Sequence, residues 1–126
     1  MIRRSSSTTG APGAVGPYSQ GVRAGGLFYT SGQLPLTPEG QMIRDDIAAA
    51  AQQALENVHA ILAAGGATMK DVVKVTVYLT DMAHFAAVNE VYSRFFAEPY
   101  PARTCIAVAR LPLDAPLEIE AQAAVG

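Results

Sequence analysis

The sequence is poor in cysteine, in positive charge and in long apolar runs, and each scarcity excludes a class of protein. A single cysteine cannot form an intramolecular disulfide, which favours a reducing compartment, and we expect a cytoplasmic location. Nine Lys and Arg residues against eleven Asp and Glu give a net charge of -2, which indicates no binding to nucleic acid or to an anionic membrane. No apolar run approaches the length that spans a bilayer.

Sequence motifs for metals and cofactors are also missing. A zinc site needs about four ligands, and no pair of Cys or His residues here has the spacing of such ligands. The glycine clusters lack the spacing or the lysine of a phosphate-binding loop, and no flavin, nicotinamide or pyridoxal motif is visible. We therefore expect a protein that uses neither a metal nor a cofactor.

What the sequence does contain is typical of one globular domain. Its 126 residues are 50% hydrophobic and only 16% charged, which suffices for one core but is short for two. No repeat or linker divides the chain, so residues 1–126 are interpreted as a single domain. Residues 1–11 are predicted to be a flexible end or an edge strand.

Hydrophobic periodicity predicts two helices. Apolar residues recur at spacings of three and four over residues 46–64, between acidic residues that suit a helix N-terminus and the pair Gly65-Gly66 that stops it. A second helix is predicted to begin near Asp81, with an apolar stripe that reaches Phe95, and to stop before the prolines that follow.

The remaining pattern predicts strands. Residues 71–80 alternate in polarity, with Val73, Val75 and Val77 on one face. Further strands are predicted on both sides of the turn Gly25-Gly26, over 101–112 and over 117–125. The order strand, strand, helix, strand, helix, strand, strand predicts an α+β fold, in which two helices pack on one face of a single mixed β-sheet.

Two helices can cover only one face of such a sheet, so the other face must be polar or covered by another subunit. Arg103 and Cys105 alternate onto the same side of their strand. Together with Ala107, Ala109 and Tyr78, they are predicted to lie on the face that a neighbouring subunit covers.

Three residue types are candidates for chemistry. Arg103 follows two prolines and can bind a carboxylate through two parallel hydrogen bonds. Glu118 and Glu120 share one face of a strand, roughly 7 Å apart, and either do acid–base work or form a solvated face; the spacing alone favours the second. Cys105 is a candidate nucleophile with a histidine as its base, but a lone strand cysteine is more often a small buried hydrophobe.

Five blocks of sequence, in order from about residue 12 onward, resemble the reactive-intermediate deaminase family, also called Rid or YjgF. They are "APGAVGPYSQGV", "TSGQLP", "VVKVTVYLTDMAHFAAVNEVYSRFF", "PARTCIAVARLP" and "LEIEAQA". The "GPYSQ" block and the pair "PARTC" and "LEIEA" are specific to that family. The resemblance covers nearly the whole chain.

The resemblance implies a chorismate-mutase-like subunit, assembled as a homotrimer with the sheets inside and the helices outside. Clefts at the subunit interfaces are the implied active sites. Members of the RidA type hydrolyse enamines and imines such as 2-aminoacrylate to a 2-oxo acid and ammonia. The expected ligand is therefore a small imino acid, and the expected partners are further copies of the chain rather than nucleic acid or a membrane.

The same resemblance implies roles for particular residues. Arg103 matches the arginine that binds the substrate carboxylate, and Glu118 matches the glutamate that holds or activates water. Cys105 matches a cysteine whose backbone, rather than its sulfur, contacts the ligand. Glu120 has no match in the family's motif and is interpreted as structural. Further cleft-lining positions are matched by Tyr18, Ser31 and Asn89.

Three alternatives stay open. The short loop over 96–101 leaves open a related deaminase of larger, aminomuconate-type imines. The same interface cleft also suits a non-catalytic regulator that binds a small molecule. Ribonuclease or translation-inhibitor activity has been attributed to some relatives, and the acidic charge balance counts against it.

Overall fold

The computed structural model describes residues 2–126, which fold into one mixed six-stranded sheet and two α-helices. The elements are, in chain order, β1 (Arg3–Ser6), β2 (Gly21–Ala24), β3 (Leu27–Thr30), α1 (Ile47–Ala64), β4 (Val72–Leu79), α2 (Phe85–Tyr92), β5 (Ala102–Ala107) and β6 (Leu117–Ala124). The strands lie in the order β1-β2-β3-β6-β4-β5, and every neighbouring pair is antiparallel except β4 and β5. The expected α+β architecture is confirmed.

Helix α1 forms where the periodicity predicts it. The Asp46 carboxylate accepts a hydrogen bond from the backbone N–H of Ala49 at 3.0 Å and so caps the first turn. The apolar stripe of α1 is buried from Ala50 to Leu62, and Gly65 ends the helix. A Cβ at Gly65 would overlap the ring of Phe28, so the close approach of this helix end to β3 requires a residue without a side chain.

Strand β4 begins with an irregularity that the alternation of the sequence does not reveal. Its register against β6 shifts between Val72 and Lys74, so that Val72 is buried while Val73 is 46% exposed. Val75 and Val77 then point into the core as expected. The prediction that Val73 shares their face is wrong, because the extra residue of a bulge inverts the alternation on one side of it.

One face of the sheet carries the core and the other is uncovered. Phe28, Val75, Leu117 and Ile119 are fully buried in one cluster with the stripe of α1. The opposite face, called the open face below, carries the side chains that alternate with these: Leu27, Tyr29, Lys74, Thr76, Tyr78, Ile106, Glu118, Glu120 and Gln122. Its apolar members Leu27, Tyr29 and Ile106 are each more than a third exposed. Residues 2–126 therefore leave a surface of mixed polarity without a cover.

Strand β5 places Arg103 and Cys105 on the core side of the sheet and not on the open face. In its parallel register Arg103 lies opposite Val75 and Cys105 lies opposite Val77, and both valines point into the core. Residues opposite one another on neighbouring strands share a face. The prediction that Arg103 and Cys105 lie on the open face is therefore wrong. Tyr78 does lie on the open face, as predicted.

Helix α2 connects β4 to the parallel strand β5. Asp81 caps the short 3₁₀ turn before it by accepting a hydrogen bond from a backbone N–H at 2.9 Å. The helix ends at Tyr92, so Phe95 lies beyond it rather than on its predicted stripe. Phe85, Asn89 and Tyr92 follow at spacings of four and three and share the helix face that meets β5. Within residues 2–126, no helix combines the length and the apolarity that a membrane crossing requires.

Candidate active site

Arg103 is held against the outer edge of the sheet by three side chains of α2. Its Nη1 donates a hydrogen bond to Asn89 Oδ1 at 2.7 Å. Its Cζ lies 4.7 Å from the ring centroid of Tyr92 and 5.5 Å from that of Phe85, within the range of a cation–π interaction. We call Phe85, Asn89, Tyr92 and Arg103 the arginine cluster. Sequence reasoning identified two of its members, and helical spacing in "FAAVNEVY" was the signal for the two aromatic ones.

No carboxylate of residues 2–126 neutralises the positive charge of Arg103. Two salt bridges occur in the part of the chain that the structure describes, Arg94 with Glu90 and Arg110 with Asp114. Neither includes Arg103, whose contacts are with an uncharged amide and two aromatic rings. An exposed guanidinium without an internal carboxylate is available to bind an anion in the forked geometry that carboxylates fit.

Cys105 lies two residues further along β5 and is half-buried. Burial raises the pKa of its thiol above the usual 9.0, and the nearby positive charge of Arg103 only partly offsets this. The thiol is therefore protonated at neutral pH, which makes it a poor nucleophile. This geometry favours the interpretation of Cys105 as a small side chain that packs against the core.

Glu118 lies on the open face, beside the segment that contains Ser31 and Gly32. Gln33 and Ile119 exchange backbone hydrogen bonds of 2.7 and 3.0 Å, which bring this segment alongside β6. A Cβ at Gly32 would overlap Glu118 Oε1 and lie 2.7 Å from Cδ, so the carboxylate occupies the space that any other residue at position 32 would fill. We call Ser31, Gly32 and Glu118 the glutamate cluster. Sequence reasoning missed Gly32, although it belongs to the quoted block "TSGQLP".

Glu118 binds its proton more tightly than an ordinary carboxylate does. Partial burial raises the pKa of Glu118 above its usual 4.5, and the negative charge of Glu120 raises it further. Glu120 accepts a hydrogen bond from the Tyr78 hydroxyl at 3.0 Å, which supports its interpretation as structural. A carboxylate whose pKa is shifted towards neutrality suits proton transfer better than a fully solvated one.

Replacing Glu118 with glutamine is expected to raise the free energy of unfolding at pH 7. Because the pKa of Glu118 is higher in the folded state than in the unfolded one, ionisation costs folded-state stability, and an amide avoids that cost. As the pH falls through the raised folded pKa and then below 4.5, the carboxyl becomes neutral in both states and the advantage disappears. Urea unfolding of both proteins at neutral and acidic pH, at one protein concentration, measures this. A gain that is independent of pH would contradict the electrostatic origin, and Glu39→Gln in an exposed turn is the matched control.

Tyr18 belongs to neither cluster. It is 50% exposed in the loop before β2, and its hydroxyl accepts a hydrogen bond from the backbone N–H of Val15 at 3.4 Å. It lines a separate surface cleft of about 530 Å³ together with the hydroxyl-rich segment that follows β1. Tyr18 therefore has no role in either cluster of the single chain, and its predicted place in a substrate cleft depends on a neighbouring subunit.

One chain does not bring the arginine and glutamate clusters together. Arg103 lies opposite Val75 and Glu118 opposite Tyr78, so their Cα atoms are separated by two strand spacings and three residues, about 14 Å. Their side chains also leave opposite faces of the sheet. A small molecule therefore cannot touch both side chains of one chain.

Known proteins resemble this chain over almost all of its length. Residues 8–125 match the family model described as Endoribonuclease L-PSP. A 2-iminobutanoate/2-iminopropanoate deaminase from Salmonella typhimurium is 48% identical over 118 residues, which cover 91% of this chain and 92% of that protein. The crystal structure of E. coli TdcF with bound serine has a TM-score of 0.92 and 47% identity, over 98% of this chain and 99% of that one. The crystal structure of yeast Mmf1 has a TM-score of 0.96 and 40% identity, over 99% and 100% of the two chains.

Proposed function

Because the chain belongs to the reactive-intermediate deaminase (RidA/YjgF) family, we propose that it is an imine deaminase. Its substrates are small 2-imino acids and their enamine tautomers, such as 2-aminoacrylate, and its products are 2-oxo acids and ammonia. The observation that carries the proposal is the exposed guanidinium of Arg103, which no carboxylate of residues 2–126 neutralises. The solved structure of E. coli TdcF contains bound serine, which carries a carboxylate as a 2-imino acid does.

The proposed active form is a homotrimer with its sites at the subunit interfaces. A ring of identical subunits uses one heterologous interface, in which one surface of each chain meets a different surface of the next. Such an interface can place the arginine cluster of one subunit against the glutamate cluster of the partner subunit. It also covers the open face, whose Leu27, Tyr29 and Ile106 are otherwise exposed. A particle mass of three times the 13.2 kDa subunit in light scattering would support this assembly, and a stable monomer with full activity would overturn it.

The proposed reaction uses one group from each cluster. Arg103 binds the substrate carboxylate and fixes the position of the C=N carbon. Glu118 of the partner subunit takes a proton from a water molecule as the water oxygen attacks that carbon, and it returns the proton to the nitrogen. The same carboxylate then relays the hydroxyl proton of the carbinolamine to the nitrogen, which leaves as ammonia. Proton transfer of this kind contributes about 10²–10⁴-fold.

The other predicted site residues take supporting roles in this scheme. Asn89 restrains Arg103, because its amide oxygen accepts a hydrogen bond from the guanidinium. Ser31 precedes Gly32, which lies against the Glu118 carboxylate, and the Ser31 hydroxyl accepts a hydrogen bond from Gln33 Nε2 at 3.1 Å. Cys105 contributes its backbone: β5 is an edge strand, so alternate N–H and C=O groups point away from the sheet and are free to bind a ligand.

The test is direct competition for 2-aminoacrylate, released in solution by a serine or cysteine lyase, between the protein and semicarbazide. The expected result is less semicarbazone and more pyruvate as the protein concentration rises. Unchanged semicarbazone at every protein concentration would overturn the proposal. Hydrolysis of larger, aminomuconate-type imines alone would instead indicate the related deaminase, and pyruvate binding without any hydrolysis would indicate a regulator.

We expect no cleavage of RNA, despite the name of the family model. The candidate acid–base group Glu118 lies beside a second carboxylate, Glu120, and this pair repels a phosphate backbone. Incubation of labelled RNA with protein purified in high salt measures this. Cleavage that Glu118→Gln abolishes would show that the expectation is wrong.

Replacing Gly32 with alanine is expected to lower kcat about tenfold or more with little loss of stability. The added methyl overlaps Glu118 Oε1, which is the end of a flexible side chain, so the carboxylate moves and the backbone does not. Misplacing a catalytic group by about 1 Å is enough for such a loss. Steady-state kinetics and thermal unfolding measure the two effects, with Gly13→Ala as the control because a Cβ there meets no atom within 4 Å. Full activity in Gly32→Ala would contradict the placement of Glu118 in the site.

A further inference from the structure

The arginine cluster restrains Arg103 entirely with uncharged groups. We propose that Phe85 and Tyr92 are positioning residues, whose rings hold the guanidinium in a carboxylate-binding pose without neutralising it. This inference rests on the proposed function of Arg103 and extends it to two residues that do not touch the substrate. The substrate class that benefits is one with a carboxylate next to the reacting carbon.

An exposed arginine loses much rotamer freedom when a ligand binds it, and that loss weakens binding. Here α2 removes the freedom beforehand. The rings of Tyr92 and Phe85 lie 4.7 and 5.5 Å from Cζ and limit the movement of the guanidinium, and Asn89 accepts a hydrogen bond from Nη1. A guanidinium has five N–H donors in one plane, so an edge with two parallel donors stays free for a carboxylate.

The neutrality of these contacts matters as much as their geometry. Two other arginines near Arg103 in the sequence form ion pairs with carboxylates. Arg94 pairs with Glu90, and Arg110 pairs with Asp114. Had α2 offered Arg103 a carboxylate at position 89, that group would compete with the substrate for the same donors. Aromatic faces attract the cation while leaving its N–H edge unoccupied.

The ring of Tyr92, and not its hydroxyl, carries the proposed role. Tyr92 is 6% exposed, and its hydroxyl is the one buried side-chain polar atom in residues 2–126 that lacks a hydrogen-bond partner. Its ring packs on Phe96 with the centroids 4.5 Å apart, which fixes the ring plane beneath the guanidinium. Phenylalanine at position 92 keeps the ring and removes only the unpaired group, so Tyr92→Phe is the conservative variant for the test.

The first experiment compares binding and turnover in Tyr92→Leu, Phe85→Leu and Tyr92→Phe. Loss of one cation–π contact is expected to raise both KM for 2-iminopropanoate and Kd for pyruvate by about 2- to 30-fold, while kcat changes far less. Tyr92→Phe is expected to restore both constants to near the wild-type values. Unchanged constants in Tyr92→Leu, or an equal loss in Tyr92→Phe, would overturn the proposal. Because pyruvate binding is measured without turnover, a wild-type protein that binds pyruvate but hydrolyses no imine refutes the proposed function and leaves the positioning role standing.

The second experiment needs no core substitution. The Nε–H proton of Arg103, identified in the NMR spectrum by its loss in Arg103→Lys, is expected to be shifted by the ring currents of Phe85 and Tyr92. A shift identical to those of the other exposed arginines would overturn the proposal.

The third experiment, with Asn89→Asp, tests whether the partner of Arg103 must be uncharged. A new carboxylate beside Arg103 is expected to raise the Kd for pyruvate at least tenfold although it adds an ion pair, and tighter or unchanged binding would contradict the proposal.

Discussion

Arg103→Ala is expected to lower kcat/KM for 2-iminopropanoate by at least about a hundredfold. Two charge-assisted hydrogen bonds to the substrate carboxylate are lost, each worth about 1.5–3 kcal/mol, and each 1.36 kcal/mol is a factor of ten in rate. The fold is expected to survive because the side chain is exposed and its removal leaves no buried charge unpaired. Steady-state kinetics of the imine, with light scattering for the assembly, measure both statements.

Two further substitutions serve as controls for Arg103→Ala. Arg94→Ala removes another exposed arginine, whose partner is Glu90, and it is expected to leave kcat/KM nearly unchanged. Cys105→Ser keeps the backbone of β5 and is expected to retain most of the activity, because the half-buried thiol is protonated and takes no part in the chemistry. Loss of activity in Cys105→Ser together with full activity in Arg103→Ala would show that the mechanism is wrong.

Mixing two inactive proteins, Arg103→Ala and Glu118→Gln, is expected to restore about a quarter of the wild-type activity. If each site takes its arginine from one subunit and its glutamate from the next, random assembly gives one site in four with both groups intact. The chains are mixed by refolding from denaturant or by co-expression with two affinity tags. The physical basis is the separation of Arg103 and Glu118 by about 14 Å on opposite sides of one sheet.

The matched control for this experiment is a single chain that carries both substitutions, mixed with the wild type. Sites between subunits predict about a quarter of the wild-type activity in both mixtures, since two independent subunits must be correct in each case. Sites within one chain predict no activity in the first mixture and about half in the second. The pair of values therefore distinguishes the two arrangements without any structural measurement.

Local signals in the sequence were sufficient for most of the fold. Helix α1 is bounded by Asp46 and Gly65 as predicted, because capping and termination depend on residues within one turn. The bulge at Val73 and the orientation of Arg103 were not predictable in the same way. Both depend on the register between strands that are distant in sequence, and a shift of one residue inverts every side chain of a strand.

The sequence indicated which residues to place in the candidate site but not how they are arranged. Arg103 and Glu118 stand out by residue type and by their sequence motifs. Their separation across the sheet became visible only with the parallel pairing of β4 and β5, which the crossover through α2 sets. Gly32 shows the same limit. The glycine is visible in the sequence, but the carboxylate that occupies the space of its missing side chain belongs to Glu118, 86 positions later.

In the proposed trimer each sheet lies between two active-site clefts. Its Arg103 lines one cleft and its Glu118 lines the other. A β-sheet of hydrogen-bonded strands is stiff, so a change in the twist of the sheet displaces Arg103 and Glu118 together. A substrate that displaces Arg103 in one cleft would then also move Glu118 in the neighbouring cleft. The three sites of one trimer then do not hydrolyse substrate independently. Single-turnover rates measured with one, two and three substrates per trimer would differ for this reason.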